Sequence, residues 1–455
     1  MKKYDLAPTQ DNLLKTFADD SIERNKDIYS FINILNHIDI SCSIALDAKW
    51  GSGKTFFVKQ VKMILDSYNE FLITDSETSD KIKAIWKRDN RQNEPKIKPQ
   101  VTIYYDAWSN DNDEDPMLSL VYSILDESNS TKKIGNDLDV VKTATSILKL
   151  FTGKDWQEII DNLQGDNPLS ELNKNKEVDK MISEFLGELL PERGDRLVII
   201  IDELDRCKPT FAVKLLERIK HYFTDDRITF VFSTNLYELQ ATIKKLYGEQ
   251  FNACRYLERF FDLIITLPKP NLERFYMNFE FNSSYYFDTM RDAIIKKYGF
   301  ELREIAKYLN MTDIAISSIA KDGKKRNRQF DSKILLFTSA YIIPILTGLK
   351  IADRDKYSSF VSGSDSSALT DFSNHIALER FSDFFTDEER NIVVNENNTR
   401  ETAIKNKLEQ IYNAIFVNDY STIPSVTVGQ EFFRENDANQ ILRIDSLLSS
   451  YVDFD

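Results

Sequence analysis

The stretch SIALDAKWGSGKTFFVKQ, Ser43 to Gln60, sets a short apolar run ahead of two glycines, a lysine and a threonine, and follows them at once with an amphipathic segment. A loop that grips phosphates asks for that order. It needs a strand as anchor, glycines whose backbone comes close to anionic oxygens, a lysine charge, a hydroxyl for Mg2+ and a helix N-terminus behind. Along Trp50, Gly51, Ser52, Gly53, Lys54, Thr55 and Phe56 the two glycines would let the main chain wrap the phosphates. Lys54 would reach the β- and γ-phosphates, and Thr55 would ligate the metal. The full G-x-x-x-x-G-K-[ST] pattern has glycine where this chain has Ala48, and alanine still permits close approach if its φ stays negative. The competing reading, a glycine-rich turn with an incidental Lys-Thr, is disfavoured by the strand and helix on either side.

Carboxylates suited to the same chemistry close the run LVIIIDELDRC, an apolar strand ending in Asp202 and Glu203. Strands of a parallel sheet end along one crevice, so these acids can face the phosphate loop. Asp202 would hold Mg2+ through water, and Glu203 would orient and deprotonate the attacking water. Alone, an acidic pair at a strand end is as readily a solvated turn; paired with GSGKT it becomes a catalytic candidate. A third run, ITFVFSTN, ends in Asn235, which either senses the γ-phosphate or caps the helix LYELQATIKKLYG, and both roles stay open. In ACRYLERFFDLIITLP, Arg255 and Arg259 precede the last apolar run; Arg259 either reaches a neighbouring subunit's nucleotide or pairs with a carboxylate such as Glu258.

The elements that must position these groups are legible as five apolar runs: Ser43 to Leu46, Val101 to Tyr105, Leu197 to Ile201, Ile228 to Ser233 and Leu263 to Leu267. Their hydrophobicity is continuous instead of alternating, which predicts strands covered on both faces, and amphipathic segments lie between them. The expected fold is α/β, with a parallel-sheet P-loop core, a helical insertion at about 109–195 and a mainly α-helical C-terminal region. The expected domain limits are 1–270 for the core and 271–455 for a helical lid and C-terminal domain. The apolar run Ile334 to Leu349 contains Pro344 and is shorter than the roughly 20 residues a membrane span needs, so it reads as a buried helix.

Composition narrows the function classes. The chain has 455 residues, 42% of them hydrophobic, enough for a substantial core. Its formal charge of -14 repels polyanions over most of the surface, leaving nucleic-acid binding only to a local patch. The cysteines are Cys42, Cys207 and Cys254 and the histidines His37, His221 and His375, too few and too scattered for a disulfide framework or a transition-metal site. The N-terminal MKKYDLAPTQDNLLK has no apolar core of a signal peptide, so a cytoplasmic protein without a membrane segment is expected.

Taken jointly, AKWGSGKT, YYDAW (Tyr104 to Trp108), IIIDELDRC with the downstream LLERIKHYF, and YLERFFDLIITLP resemble the KAP family of P-loop NTPases over roughly the first 270 residues. The resemblance implies a sheet in which the ITFVFST strand lies between the phosphate-loop strand and the LVIII strand. It also implies ATP and Mg2+ as ligands, and a leading segment, FADDSIERNKDIYSFINIL, that helps enclose the base. Family members often carry membrane helices between the YYDAW and DELDRC elements; here LVYSIL and SILKLF are too short to span. Asp106 matches the family motif and is expected to line the site, Trp108 is expected in the core, and Asp205 and Arg206 match the DxxDR tail without a role that can be derived.

One rival signal is REIAKYLNMTDIAISSIAKDGKKRNR, in which Ala306, Asn310 and Ile316 have the spacing of a DNA-binding helix-turn-helix, followed by Lys321, Lys324, Lys325, Arg326 and Arg328. A helical lid, with Arg303 as the arginine that reaches the γ-phosphate, is favoured over it. The expectation is therefore a Mg2+-dependent ATPase acting as a nucleotide-driven conformational switch, with the resemblance suggesting anti-phage defence or signalling as its setting. A homo-oligomer or an effector protein is the expected partner. The alternatives are a nucleotide-gated DNA-binding regulator using residues 303–328 and a slow ATP-binding scaffold.

Overall fold

A computed structural model of the chain describes residues 7–71, 75–89, 97–131, 194–222, 225–277, 279, 281–282, 285–321, 328–377, 380–390 and 397–450. It divides into two compact units, Met1–Phe275 and Tyr276–Asp455.

The first unit is built on five parallel strands, β1 Cys42–Asp47, β2 Gln100–Asp106, β3 Arg196–Asp202, β4 Ile228–Thr234 and β5 Leu263–Thr266, in the order β2-β3-β4-β1-β5. The ITFVFST strand thus lies between the phosphate-loop strand and the LVIII strand, as the family resemblance implied. Every residue of β3 and β4 is buried, which is why their sequences show no alternation. Ile44, Leu46, Val198, Ile200 and Val231 pack on one face with α1 Gln10–Ala18, α2 Asn25–His37, α3 Lys54–Tyr68 and α4 Ser76–Asp89. Ala45, Leu197, Ile199, Ile201, Phe230 and Phe232 pack on the other with α5 Pro116–Thr131, α6 Pro209–Tyr222, α7 Leu236–Tyr247 and α8 Ala253–Leu257. The polar spacer ahead of β2 folds as α4 because Ser79, Ile82 and Trp86 repeat at helical spacing and bury one stripe. Apart from α5 and the residues flanking it, the expected helical insertion lies outside the described residues.

In the second unit, Leu302–Ile319 is one continuous helix opened by a capping box between Glu301 and Glu304. Asn310 sits exposed in its middle, so the turn that a helix-turn-helix requires is absent. Asparagine lowers helix propensity by well under about 1 kcal/mol, too little to break a helix that buries Leu302, Ile305, Ala306, Leu309, Ile316 and Ile319. The described part of the basic tail is paired with carboxylates. Lys324, Lys325 and Arg326 lie outside the described residues, Lys321 pairs with Asp331, and the Arg328 side chain is buried against Asp313. Arg303 is exposed in the first turn of that helix.

The apolar run around Pro344 is longer than its sequence suggests. It forms part of a 20-residue helix, Lys333–Ala352, that meets the length and apolarity of a membrane span by composition, yet 83% of its apolar window is buried inside the chain. A π-turn, Thr338–Ile342, precedes Pro344 and lets the helix pass a residue that has no N–H to donate. The buried-helix reading holds.

The sheet's centre and its edge differ sharply in burial, and this makes a direct test. Phe232 on β4 is 1% exposed and meets Phe261 edge-on at 5.3 Å, whereas Leu263 on the edge strand β5 is 41% exposed. Phe232→Ala should lower unfolding free energy by about 3–5 kcal/mol, and Leu263→Ala by no more than about 0.5 kcal/mol, read as shifts of the urea midpoint at constant slope. Equal losses at the two positions would contradict the described burial.

Candidate nucleotide site

The loop between β1 and α3 runs from Ala48 to Gly53. Gly51 at φ 79° and Gly53 at φ 92° occupy the left-handed region, where a side chain would be strained, and Gly53 is the residue from which α3 starts. Ala48 is not among the described residues with positive φ, so alanine serves where the pattern has glycine. Its N–H donates to the Thr234 carbonyl at 3.3 Å, which fixes the start of the loop to β4. The Ser52 hydroxyl is buried in the loop with no hydrogen-bond partner, which leaves a donor unsatisfied beside the glycines that shape it.

Lys54 opens α3, and its ammonium curls back to donate to the carbonyls of Ala48 at 2.6 Å and Lys49 at 3.1 Å. The side chain is buried, and that burial pulls its pKa below the ordinary lysine value, while the negative charges of Asp205, Asp202 and Asp47 oppose the shift. Two chain segments far apart in sequence, the β1–α3 loop and the end of β3, therefore share one electrostatic neighbourhood. Thr55 and Phe56 follow in the first turn of α3, half-buried.

Asp202 ends β3, fully buried, in register with Asp106 of β2 and Ser233 of β4. It accepts from the Tyr104 hydroxyl at 2.9 Å and from the Glu203 N–H at 3.1 Å. Burial first and the Asp202 charge second push Tyr104 up, so it stays a donor. Asp106 turns its carboxylate onto the Ser109 N–H at 2.9 Å, at the same end of the sheet. Among the described residues no group of three or more His, Cys, Asp or Glu forms a metal cage. Mg2+ in phosphate sites needs less than that, since one or two protein ligands, phosphate oxygens and water complete its shell, and Thr55 with Asp202 fits such a set.

Glu203 adopts φ 60° and ψ 27°, a left-handed conformation that costs a residue with a side chain about 1 kcal/mol. The cost is offset by its N–H donating to the Ser233 carbonyl at 3.2 Å and its carbonyl accepting from the Arg206 N–H at 3.1 Å. Its carboxylate pairs with the Arg206 guanidinium at 3.2 Å. The next acid, Asp205, is buried and accepts from Thr234 Oγ1 at 2.9 Å and from the indole N–H of Trp50. The DxxDR tail thus acquires a place: Asp205 braces the phosphate loop against β4, and Arg206 holds Glu203.

Trp108 departs from the expectation of a core residue, being 49% exposed. Ala107 takes the buried position after β2, and the 3-10 turn Trp108–Asn110 lifts the indole out to stand 5.1 Å from the Arg206 guanidinium carbon. Asn235, buried just after β4, caps α7, its side chain accepting from the Tyr237 N–H at 3.2 Å, so the capping role is realised. Arg259 is exposed, and among the described residues no ion pair engages it or Arg255; Glu258 does not hold either. Lys54, Asp202 and Glu203 are brought together. No hydrogen bond or ion pair joins Arg259 to them among the described residues.

Arg24, just ahead of α2, has no motif to announce it. Its buried guanidinium donates to the Ser52 carbonyl at 2.6 Å and to the Pro268 carbonyl at 2.7 Å, tying the phosphate loop to the chain beyond β5. Its neighbours Asp20 and Glu23 have φ of 45° and 56°, and Glu23 accepts from the Asn271 side chain at 2.8 Å. The only sequence signal was that a polar, charged turn interrupts the amphipathic leader.

The model of the KAP family P-loop domain matches residues 24–320, well over half of the chain, and its match begins at Arg24. No curated protein matches. Among solved structures the chain is similar to the Aeropyrum pernix ORC2 protein in its ADPNP-ADP complexes, at 10% identity, covering 94% of this chain and 95% of that one with a TM-score of 0.31. It is also similar to the Aeropyrum pernix ORC1 protein in complex with DNA, at 12% identity, 94% and 92% coverage and a TM-score of 0.27. Scores of that size carry no weight in the reading of the site. The five-stranded parallel sheet, the phosphate loop before α3 and the matched span agree: the chain belongs to the KAP family of P-loop NTPases.

Proposed function

We propose that the chain is a Mg2+-dependent ATPase whose turnover drives a conformational switch. The observation that supports this most is the burial of the Lys54 ammonium near the charges of Asp47 at the end of β1, Asp202 at the end of β3 and Asp205 in the turn that follows β3. A lysine held only for structure would pair with one carboxylate at the surface. This one is buried on its own loop's carbonyls, in a position to exchange them for phosphate oxygens.

Lys54 and the loop N–H groups bind the β- and γ-phosphates and neutralise charge that builds on them. Thr55 and Asp202 are the side chains that would hold Mg2+, which supplies further positive charge to the phosphoryl oxygens when bound. Glu203 takes a proton from the attacking water, and Asn235 at the end of β4 fixes that water's orientation. Arg259, exposed and unpaired among the described residues, is free to serve the site of a second copy. The leading segment, FADDSIERNKDIYSFINIL, encloses the base by the family resemblance, and Arg24 within it donates to the Ser52 carbonyl of the loop. Anti-phage defence or signalling is the setting suggested by the family resemblance alone.

Lys54→Ala should reduce ATP-dependent phosphate release by about 100-fold or more and abolish its response to added Mg2+. Glu203→Gln should leave ATP affinity within about twofold while slowing phosphate release by about 100-fold to 10000-fold, as loss of a general base does. Should the unmutated chain release phosphate no faster than ATP does alone, the chain holds ATP without catalysing its hydrolysis, whereas equal rates above that background in the unmutated chain and Glu203→Gln would remove Glu203 from catalysis. Mixing Arg259→Ala with Lys54→Ala chains should restore part of the turnover that each lacks alone, with mass photometry showing nucleotide-dependent oligomers; no recovery on mixing would remove Arg259 from catalysis.

A further inference from the structure

Two tryptophans flank one guanidinium at the mouth of the site. The Arg206 guanidinium carbon lies 5.1 Å from the Trp108 ring centre and 5.9 Å from that of Trp50. The same guanidinium pairs with Glu203 at 3.2 Å, in a pair whose side chains are only 21% and 19% exposed. Trp108 and Trp50 are 49% and 44% exposed, an unusual state for side chains that bury large apolar area elsewhere. Trp50 belongs to the phosphate loop and its indole N–H is committed to Asp205, while Trp108 belongs to the turn after β2. Arg206 is therefore held by rings from two elements that border the crevice.

We infer that Arg206 is a positioning residue that aims the Glu203 carboxylate, and that Trp50 and Trp108 set the plane of its guanidinium. The inference rests on the reading of Glu203 as the group that orients water. The Glu203 backbone is fixed in its left-handed conformation by β4, and its carboxylate is engaged by a planar cation that stands near two rings, a contact that restricts the carboxylate's rotation. Because Trp50 is part of the loop that holds the phosphates, the aim of the carboxylate is referenced to the phosphate position. A lysine at 206 would keep the charge and lose the stacking plane.

The test uses the full chain, with MgATP turnover for kcat and KM and calorimetric ATP binding in the Glu203→Gln background. Arg206→Ala should lower kcat by about tenfold or more with KM changed by less than about twofold, and Arg206→Lys should fall between. Trp108→Ala should lower kcat in the same direction while Trp108→Phe, which keeps a ring, stays within about twofold of the unmutated chain. Combined with Glu203→Gln, Arg206→Ala should cause no further loss, because both act through one carboxylate. A loss confined to KM, or one that adds to the loss from Glu203→Gln, overturns the inference and leaves Glu203 in its role. Full turnover in Glu203→Gln alone overturns that role first, and the inference with it. If Arg206→Ala does not fold, the Trp108 pair decides, since indistinguishable kcat values for Trp108→Ala and Trp108→Phe also overturn it.

Discussion

The site depends on a balance struck at one ammonium. Removing Lys54 from water disfavours its charge, and the carboxylates at the ends of β1 and β3, with Asp205 beyond, restore it. Asp47 lies only a few residues ahead of Lys54, but Asp202 and Asp205 are distant in the chain and reach it only because β3 and β1 end on the same side of the sheet. The parallel order β3-β4-β1 supplies this, with Asp47 in register with Thr234 and Asp202 with Ser233. Sheet topology is thus an electrostatic requirement as well as a packing solution: an antiparallel β3 would carry Asp202 and Asp205 to the opposite end and leave the buried cation with Asp47 alone of these three acids.

The backbone around this balance stores a modest amount of strain. Glu203, Asp20 and Glu23 are the described non-glycine residues with positive φ, and each lies within a residue or a few of a contact to the phosphate loop or its supports. Such conformations persist where surrounding hydrogen bonds over-determine them, and here β4, the Arg206 turn and the chain after β5 provide those bonds. The rest of the first unit is ordinary three-layer packing.

What could be read from the chain beforehand was what is local. Continuous apolar runs announced strands buried on both faces, GSGKT announced a glycine-shaped loop before a helix, and an acidic pair at a strand end announced carboxylates in the crevice. Contacts across long separations left no such mark. Arg24 reaches Ser52 across 28 residues and Pro268 across 244, and Trp50 finds Asp205 across 155. Each is a single polar side chain in a stretch without periodic signal. One local reading failed for a physical reason: Trp108 suits a core, but Ala107 already fills the position inside; at Asn310, which suits a turn, the buried stripe on either side favours an unbroken helix, against the rival that was not preferred.

Arg24's double grip makes the phosphate loop and the exit of β5 a single mechanical body. One guanidinium cannot follow two carbonyls in different directions, so a displacement of Ser52 as small as a fraction of a hydrogen-bond length must either drag Pro268 along or break a charged, buried bond. The chain carries, in one side chain, a direct link from the loop after β1 to the segment that follows the last strand of the sheet.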